Sequence, residues 1–440
     1  MHKQQTSIFW FRRDLRLEDN HGLFQALSGE NPVIPIFIFD KDILDKLPQD
    51  DHRVSFIFET LQNMRNILQE KYGSSIDFRY GNPVKIFTQL MNDYDIASVY
   101  TNHDYEPYAK KRDDEIKQLL SEHDIDFYTF KDQVIFEKDE VTKDDGDPYV
   151  VYTPYKNKWR SQFNTERDLQ TFDTEKHANN FYQNTRLPQL TLLDMGFEKS
   201  SIIVPEYKLT SDIIKEYADT RNFPIQDGTS HLGPYLRFGL VSVRQIMKRA
   251  YSGSGETFMN ELIWREFFMQ IMWHFPYTAN QAFREKYDTV PWREAPEDLQ
   301  KWKDGQTGYP MVDAGMRELN NTGYMHNRVR MVVASFLCKH LLIDWRHGER
   351  YFAEKLFDFD LSANVGNWQW AAGSGVDAAP YFRVFNPQTQ FEKFDKGGEY
   401  VQKWVPEYFG IGYVQPMVEH KFARERAITT YKTALNNFPK

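Results

Sequence analysis

Short runs of β-branched and aromatic residues alternate with amphipathic stretches along the first 130 residues, and this alternation constrains the fold more than any other feature. Apolar residues recur at helical spacing over residues 52–71 and 112–120. A β-α-β alternation predicts a parallel, doubly wound sheet with right-handed crossovers, in which ligands bind at the carboxyl ends of the strands. The predicted strands are residues 8–11, 33–39, 76–80, 96–101 and 126–130.

The pattern changes at two points farther along the chain. Periodicity fades between about residues 131 and 200, where Asp, Lys, Tyr, Asn and Pro are frequent. Helical patterns dominate from residue 201 onward, and strand signals nearly vanish there. We therefore predict an α/β domain over 1–130, a connector over 131–200 and a mainly α-helical domain over 201–440.

Chain length and cysteine content bear on stability and location. With 440 residues, of which 41% are hydrophobic, the chain can bury two cores without disulfides. Cys338 is the sole cysteine and lies in an apolar stretch, so we expect it to pack as a small hydrophobic residue. The N-terminus lacks an apolar run of signal-peptide length, and charged residues interrupt every candidate membrane span. We expect a monomeric, cytoplasmic protein that does not associate with membranes.

Charge and aromatic content leave two questions open. The net charge of -9 argues against a protein that coats nucleic acid non-specifically, but it does not exclude a local basic groove. Phe, Trp and Tyr make up 16% of the residues, and 10 residues are Trp. Such a content serves either a large aromatic core or a pocket for a planar ligand.

Common catalytic motifs are missing from the sequence. It contains no P-loop, no His-Glu-x-x-His, no paired cysteines for zinc and no nucleophile elbow, so we predict neither a metal site nor acyl transfer. Residues 373–378 imitate a dinucleotide fingerprint, but they follow a Trp-rich helical stretch rather than a strand. We interpret that similarity as chance.

One predicted helix, residues 260–268, combines a carboxylate with aromatic residues. Glu261, Trp264, Arg265 and Phe268 share one of its faces. One interpretation is an ion pair between Glu261 and Arg265 along the helix, with Trp264 in the core. The other is that this face contributes to a functional site.

Two further segments are predicted as helices with polar residues at one-turn spacing. In the first, Asn327 and Met331 share a face that two arginines flank. An Arg-rich helix of this kind is as often a surface helix as an element that holds phosphates. In the second, Asn364 and Trp368 lie one turn apart, whereas Trp370 points to the opposite side.

These segments together resemble the photolyase/cryptochrome family, and the resemblance extends over essentially the whole chain. Within that family the sequence is most similar to the class I photolyases that act on cyclobutane pyrimidine dimers. The matching motifs are FWFRRDLR at 9–16, DGTS at 227–230, ELIWRE at 261–266, TGYP at 307–310, MHNR at 325–328, NVGNWQW at 364–370 and PYFRVFNP at 380–387.

The resemblance implies an enzyme that uses blue light and FAD to split cyclobutane pyrimidine dimers in UV-damaged DNA. The implied fold is an α/β antenna domain followed by a helical FAD-binding domain. Asn327 and Met331 favour this activity over repair of (6-4) photoproducts, which resembles a site with two histidines in this helix, whereas only His326 lies nearby. A cryptochrome-type photoreceptor is the alternative, and the short tail after Pro416 favours repair because cryptochromes typically add a C-terminal extension.

The resemblance also assigns residues to the FAD cofactor. A serine is more common in the family at position 233, so we expect a backbone contact to the phosphate there. The residues implied near the FAD diphosphate are Tyr217, Thr229, Ser230, His231, Leu232 and Gly233. Those implied around the flavin are Arg265, Asn327, Arg330, Asp358, Asp360 and Asn364.

A third group is implied for DNA and for the reaction. The dimer, flipped out of the duplex, would contact Glu261, Trp264, Asn327, Met331 and Trp370, and DNA phosphates would contact Arg221, Arg328 and Arg383. Glu261 would hydrogen-bond the pyrimidine carbonyl edge, and Asn364 would face flavin N5. Trp368, Trp345 and Trp292 match the chain that carries electrons to the flavin during photoreduction. A light-independent flavin enzyme would leave these three tryptophans unexplained.

The antenna chromophore is the least determined part of this prediction. Tyr108 and Ala109 replace the Asn-Glu pair that is associated with methenyltetrahydrofolate in the family. Asp104 and Glu106 fit a deazaflavin-like pocket, but carboxylates at a helix start are also ordinary N-terminal charges. Both the presence and the identity of a second chromophore stay open.

Overall fold

The computed structural model describes residues 3–252 and 255–438. Their contacts separate them into two compact units. The α/β unit groups the described residues up to Glu140 with Gln162–Val204 and Leu232–Ser252. The helical unit groups Val141–Ser161 and Pro205–His231 with the described residues from Gly255 onward. These units differ in their bounds from the predicted segments 1–130, 131–200 and 201–440, which stay predictions of domain organisation.

A parallel sheet forms the centre of the α/β unit. Its strands are β1 Gln5–Phe11, β2 Val33–Asp40, β3 Asp77–Gly81, β4 Asp95–Asn102 and β5 Asp126–Phe130. They lie in the order β3-β2-β1-β4-β5, and each neighbouring pair is parallel. The order reverses direction at β1, as expected for a doubly wound sheet. The predicted α/β fold is therefore confirmed.

Each predicted strand is present, and the largest difference is at the start of β1. This strand begins at Gln5 rather than at residue 8 because its polar residues are paired across the sheet. The hydroxyl of Thr6 donates to the carbonyl oxygen of Asp95 (3.1 Å), and the hydroxyls of Ser7 and Ser98 lie 2.9 Å apart. Buried polar groups with such partners are tolerated in a strand.

Helices account for most of the remaining structure, and no described residue after Phe130 belongs to a strand. This confirms the prediction of a mainly α-helical second part. The helices are α1 His21–Leu27, α2 Lys41–Leu44, α3 His52–Tyr72, α4 Pro83–Asp93, α5 Pro107–Ser121, α6 Tyr152–Gln162, α7 Thr165–Asp168, α8 Ser211–Thr220, α9 Gly233–Arg237, α10 Val243–Ser252, α11 Glu256–His274, α12 Pro296–Lys303, α13 Pro310–Thr322, α14 Asn327–Ser335, α15 Trp345–Lys355, α16 Leu361–Ala372, α17 Pro387–Phe394, α18 Glu399–Trp404 and α19 His420–Asn436.

The segment that we predicted as a connector contains a helix that packs in the helical unit. Helix α6 buries Tyr152, Tyr155 and Trp159, which recur at helical spacing in an otherwise polar stretch. The indole Nε1 of Trp159 donates to a carboxylate oxygen of Glu266 in α11 at 2.6 Å. Three aromatic residues were too weak a periodic signal for a sequence prediction.

The largest buried cluster of the helical unit surrounds α13, α14 and α16. It includes Trp302, Trp345 and Trp368, and Cys338 lies within it in a π-helical turn, Phe336–Leu341. Burial raises the pKa of the Cys338 thiol to about 12, so the side chain is an uncharged part of the core, as predicted. None of the described helices is long and apolar enough to span a bilayer.

A buried ion network connects the loop after β1 to α10 within the α/β unit. Asp132 accepts hydrogen bonds from Arg16 (2.7 and 2.8 Å) and from Arg244 (2.9 Å), and its side chain is 1% exposed. Burial alone would raise the pKa of Asp132, but the two guanidinium charges outweigh burial and lower it. The carboxylate is therefore needed in its ionised form.

We predict that Asp132→Asn destabilises the protein by about 3–5 kcal/mol, because it removes the buried carboxylate that pairs with Arg16, whereas Arg244 keeps its ion pair with Asp19 (3.0 Å). Urea unfolding at pH 7 measures this. Because folding lowers the pKa of Asp132, the advantage of the parental protein is complete above the ordinary value of 3.8 and disappears as the pH falls through the folded value. Asp50→Asn, at an exposed site, is the control, and equal unfolding midpoints for both variants would contradict the prediction.

Candidate functional site

A cavity with several polar lining residues lies in the helical unit, between α14, α15, α16 and the turn that precedes α16. The predicted site residues among those that line the cavity are Asn327, Arg330, Met331, Asp358, Asp360, Asn364, Trp368 and Trp370. The structure therefore brings together side chains that the sequence places on three separate segments.

The ion pair between Arg330 and Asp358 forms one wall of this cavity. Nη2 of Arg330 donates to Oδ2 of Asp358 at 2.9 Å, and Nε of Arg330 donates to the carbonyl oxygen of Met325 at 2.7 Å. Burial would lower the pKa of Arg330, but the charge of Asp358 raises it, so the guanidinium is a permanent cation. The other carboxylate oxygen, Oδ1 of Asp358, is buried without a hydrogen-bond partner. It is available to accept an N–H from a bound ligand.

Asn364 presents a second acceptor. Its Nδ2 donates to the backbone carbonyl oxygen of Glu349 (3.1 Å) and to Oε1 of Glu349 (2.9 Å). Both of those atoms are acceptors, so the NH₂ end of the amide must face Glu349 and its Oδ1 is left for a ligand in the cavity. Burial raises the pKa of Glu349.

The start of α14 sets the direction of Asn327 and Met331. His326 caps this helix, since its Nδ1 accepts the backbone N–H of Arg328 at 3.2 Å. Burial lowers the pKa of His326 to about 4, so its imidazole is neutral. Asn327 and Met331 then line the cavity together, as their predicted common face requires, and the flanking Arg330 lines it as well. Asp360 lines it as well and caps α16 by accepting the backbone N–H of Ala363 at 3.1 Å.

Glu261, Trp264 and Arg265 lie on α11, outside the lining of this cavity. The carboxylate of Glu261 forms an ion pair with Arg221, which directly follows α8. The indole of Trp264 stacks on Tyr152, with ring centroids 3.6 Å apart and planes within 8°. One face of Trp264 is therefore covered by α6.

Arg221, Arg328 and Arg383 form a cluster of positive charge, which we call the arginine cluster. Nη2 of Arg328 donates to Oδ1 of Asn222 at 2.6 Å, and its guanidinium lies 4.4 Å from the ring centre of Phe394. Burial lowers the pKa of Arg328, and the charges of Arg221 and Arg383 lower it further. Three mutually repelling guanidinium groups are a favourable site for an anion.

The three tryptophans predicted to carry electrons lie at different depths in the helical unit. Trp368 lines the cavity and contacts Phe352 and Trp302, with centroids 4.9 and 6.2 Å away. Trp345 is buried in the same cluster, and Trp292 is only partly buried. Trp292 contacts Tyr431 with ring centroids 5.7 Å apart.

The residues predicted near the FAD diphosphate are divided between the units. Tyr217, Thr229, Ser230 and His231 group with the helical unit, whereas Leu232 and Gly233 group with the α/β unit. Nδ1 of His231 is buried without a hydrogen-bond partner, and this residue adopts a left-handed backbone conformation (φ 53°).

The α/β unit has a cavity of its own at the carboxyl ends of β1 and β2, where the doubly wound fold predicts a ligand. Its walls are largely apolar and aromatic. Oη of Tyr108 donates to Oδ2 of Asp40 at 2.7 Å, and Arg13 donates to Glu106 at 2.8 Å and to Asp104 at 3.1 Å. Ala109 lines the cavity as well. All four residues considered for the antenna thus surround one pocket.

Sequence reasoning missed three residues that shape these sites. Glu349 orients Asn364, Tyr152 covers Trp264, and Asn222 holds Arg328. Each partner is distant in sequence, so no spacing pattern indicates these contacts. The switch-point rule for parallel sheets could have indicated Trp10 and Arg112 of the α/β cavity, where the guanidinium lies 4.8 Å from the indole centre.

The polar groups of the helical cavity fit a planar heterocycle such as the flavin of FAD. Asp358 and Asn364 offer acceptors for ring N–H groups, and Arg330 offers a cation for negative charge on a reduced ring. Acceptors and a fixed cation in one cavity are what an anionic, N–H-bearing ring requires.

Comparisons with known proteins agree with this geometry. Residues 7–175 match the family model described as DNA photolyase, and residues 258–412 match the FAD binding domain of DNA photolyase. The helical unit therefore contains a FAD-binding domain.

Individual relatives match along nearly their whole length. The chain is 34% identical over 480 residues to the deoxyribodipyrimidine photo-lyase of Halobacterium salinarum, covering 97% of this chain and 99% of the relative. The crystal structure of a class III photolyase from Agrobacterium tumefaciens is 32% identical and covers 99% of each chain with a TM-score of 0.84. An archaeal photolyase from Sulfolobus tokodaii with two FAD molecules is 31% identical and covers 97% of this chain and 100% of its own, with a TM-score of 0.80. On these matches, the chain belongs to the photolyase/cryptochrome family and is a photolyase-type enzyme.

Proposed function

We propose that this protein repairs cyclobutane pyrimidine dimers in UV-damaged DNA by a light-driven, reversible transfer of one electron from FAD. The observation that carries the proposal is the cavity of the helical unit, where Arg330, Asp358, Asn364, Asn327 and Met331 converge. Reduced FAD, when bound, supplies a donor whose excited state can reduce a pyrimidine dimer. A single electron that returns after bond cleavage leaves no net redox change.

The residues of the cavity would hold the cofactor and tune its charge. Asp358 and Arg330 would bind the ring system through one acceptor and one cation. Oδ1 of Asn364 would accept a ring N–H without adding charge, since Glu349 fixes the direction of the amide. A carboxylate in place of the amide would repel an anionic ring at short distance.

Asn327, Met331 and Trp370 would contact the flipped dimer, together with Glu261 and Trp264 of α11. Extruding a damaged, poorly stacked pair costs less than extruding an intact one, and aromatic walls regain about 1–3 kcal/mol per stacked base. Glu261 would hydrogen-bond the carbonyl edge on which negative charge develops, which is an effective stabilisation where water is excluded. The class I assignment stays a prediction, because one of the similar structures is a class III photolyase.

We further propose that the cavity of the α/β unit holds a second, light-harvesting chromophore. The structure from Sulfolobus tokodaii contains two FAD molecules and is described as implying a novel light-harvesting cofactor. The aromatic walls suit a planar ring, and the carboxylates and Arg13 at the pocket suit its polar substituents. Methenyltetrahydrofolate, a deazaflavin or another flavin remain alternatives. A monomeric enzyme in the cytoplasm is part of the same proposal.

The proposal is tested with purified protein and UV-irradiated DNA. Dimers should disappear under blue light and persist in the dark, and the loss should require bound, reduced FAD. A protein whose flavin is reduced by light but whose DNA keeps its dimers would contradict repair and favour a photoreceptor.

We predict that Glu261→Ala lowers the quantum yield of repair by about twofold to tenfold, because it removes one hydrogen bond to the reduced dimer and a typical hydrogen bond contributes about 0.5–1.5 kcal/mol. Binding of FAD and of damaged DNA should stay largely intact, since Glu261 is not a phosphate contact. Glu256→Ala on the same helix, where the glutamate pairs with Arg160 at the surface, is the matched control. An unchanged quantum yield for the Glu261 variant would exclude the assigned role.

Arg328→Ala or Arg383→Ala should weaken DNA binding and reduce the slope of log K against log salt by about 0.9, the effect of one phosphate contact. Affinities measured at several salt concentrations give this slope. Arg167→Ala, which removes an arginine paired with Asp168 at the surface, should leave the slope unchanged. A parental slope in both cluster variants would reject the phosphate assignment.

We propose that Trp368, Trp345 and Trp292 carry electrons from the protein surface to the flavin. Trp292→Phe should then block photoreduction of oxidised FAD by external donors, while repair by chemically reduced enzyme stays near the parental rate. Flash photolysis and a repair assay separate the two routes. Trp404→Phe, at another partly buried tryptophan, is the control, and photoreduction of the Trp292 variant at the parental rate would contradict this route.

A further inference from the structure

Glu261 and Arg221 form an ion pair, although the proposed function gives each of them a different binding partner in DNA. Glu261 is assigned to the pyrimidine edge, and Arg221 is assigned to a DNA phosphate. In the protein without DNA they bind each other. Their side chains are 33% and 23% exposed, so the pair is accessible from solvent. One arginine cannot serve both partners fully.

Few groups act on the Glu261 carboxylate. Arg221, at the end of α8, is its ion-pair partner, and the phenols of Tyr217 in α8 and Tyr152 in α6 face it. Burial raises the pKa of Glu261, and Arg221 opposes that rise through its charge and its hydrogen bond. Arg221 is therefore the group that keeps Glu261 ionised in a site that otherwise favours the neutral acid.

Arg221 is also subject to an opposing force from the arginine cluster. The charges of Arg221 and Arg383 disfavour the ionised form of Arg328, which means that the three cations repel one another. Arg328 and Arg383 have aromatic and amide neighbours, Phe394, Asn222 and Phe385. An anion bound in this cluster would turn the repulsion that Arg221 experiences into attraction.

We propose that Arg221 exchanges partners when the protein binds DNA: it leaves Glu261 for a backbone phosphate, and Glu261 takes up one proton and becomes a hydrogen-bond donor. The proposal rests on the proposed function. The proton comes from the solvent and binds a carboxylate oxygen of Glu261, and it returns to the solvent when the DNA dissociates. No electron moves in this step.

The exchange gives Glu261 the protonation state that suits its task. A carboxylate can only accept hydrogen bonds, whereas a carboxylic acid donates one through its O–H. A pyrimidine carbonyl oxygen is an acceptor that gains negative charge on reduction, so a donor stabilises it and a carboxylate repels it. Loss of the Arg221 cation and approach of a phosphate both favour the neutral acid.

Proton uptake on binding provides the direct test. Calorimetry of the FAD-loaded protein with a short duplex that contains one dimer is run at pH 7 in buffers of different ionisation enthalpy. The parental protein should take up as much as one proton per complex, and Glu261→Gln should bind the duplex without this uptake. Binding without proton uptake by the parental protein would overturn the exchange, and so would uptake that persists in the Glu261 variant.

Affinity for undamaged DNA provides a second test. Glu261→Gln frees Arg221 before DNA arrives, so affinity for an undamaged duplex should rise by about two- to five-fold, the effect of one partly exposed ion pair. Glu256→Gln on the same helix should leave it unchanged, and an unchanged or lower affinity for the Glu261 variant would overturn the proposal. A protein that shows both effects but fails to repair dimers in light would refute the proposed function and leave the exchange intact. Repair without proton uptake would refute the exchange alone.

Discussion

The ion pair between Arg330 and Asp358 is the interaction on which the cavity of the helical unit depends. It joins α14 to the turn before α16. Asn327 and Asn364, which line the cavity, lie near the N-terminal ends of these two helices. The Arg330 guanidinium is partly buried, so separating it from the Asp358 carboxylate is unfavourable and the pair holds the two segments together. The same pair leaves Oδ1 of Asp358 as an acceptor inside the cavity. One carboxylate therefore has two roles: Oδ2 of Asp358 holds Arg330, and Oδ1 is free to bind a ligand.

Around this pair, contacts with neighbouring residues fix the orientation of the Asn364 amide and the position of Trp368. Glu349 accepts both amide hydrogens of Asn364 and so determines which end of the amide a ligand meets. The preceding residue in α15, Gly348, packs against Trp368, and a Cβ atom at Gly348 would lie 2.1 Å from the indole. Only glycine allows the helix to approach the tryptophan this closely. The position of Trp368 beside the cavity therefore depends on a residue that has no polar role at all.

The sequence predicted the parts of this architecture that periodicity and local spacing encode. The strands of the α/β unit and the common face of Asn327 and Met331 follow from alternation and from helical spacing. Helix α6 was missed because its buried stripe has only three aromatic residues. The ion pair of Glu261 with Arg221 was missed because the two residues lie 40 positions apart and meet through the packing of α8 against α11. Contacts between residues far apart in sequence depend on tertiary packing, which local sequence patterns do not reveal.

The account makes the protein a photocatalyst whose electron returns after each repair, and turnover per flavin tests this most directly. Protein with fully reduced FAD is illuminated with blue light under anaerobic conditions, without added reductant, in the presence of excess dimer-containing DNA. The account predicts that many dimers are repaired for each bound flavin and that the flavin is still reduced at the end. Repair that stops at one dimer or fewer per flavin, with the flavin left oxidised, would contradict it.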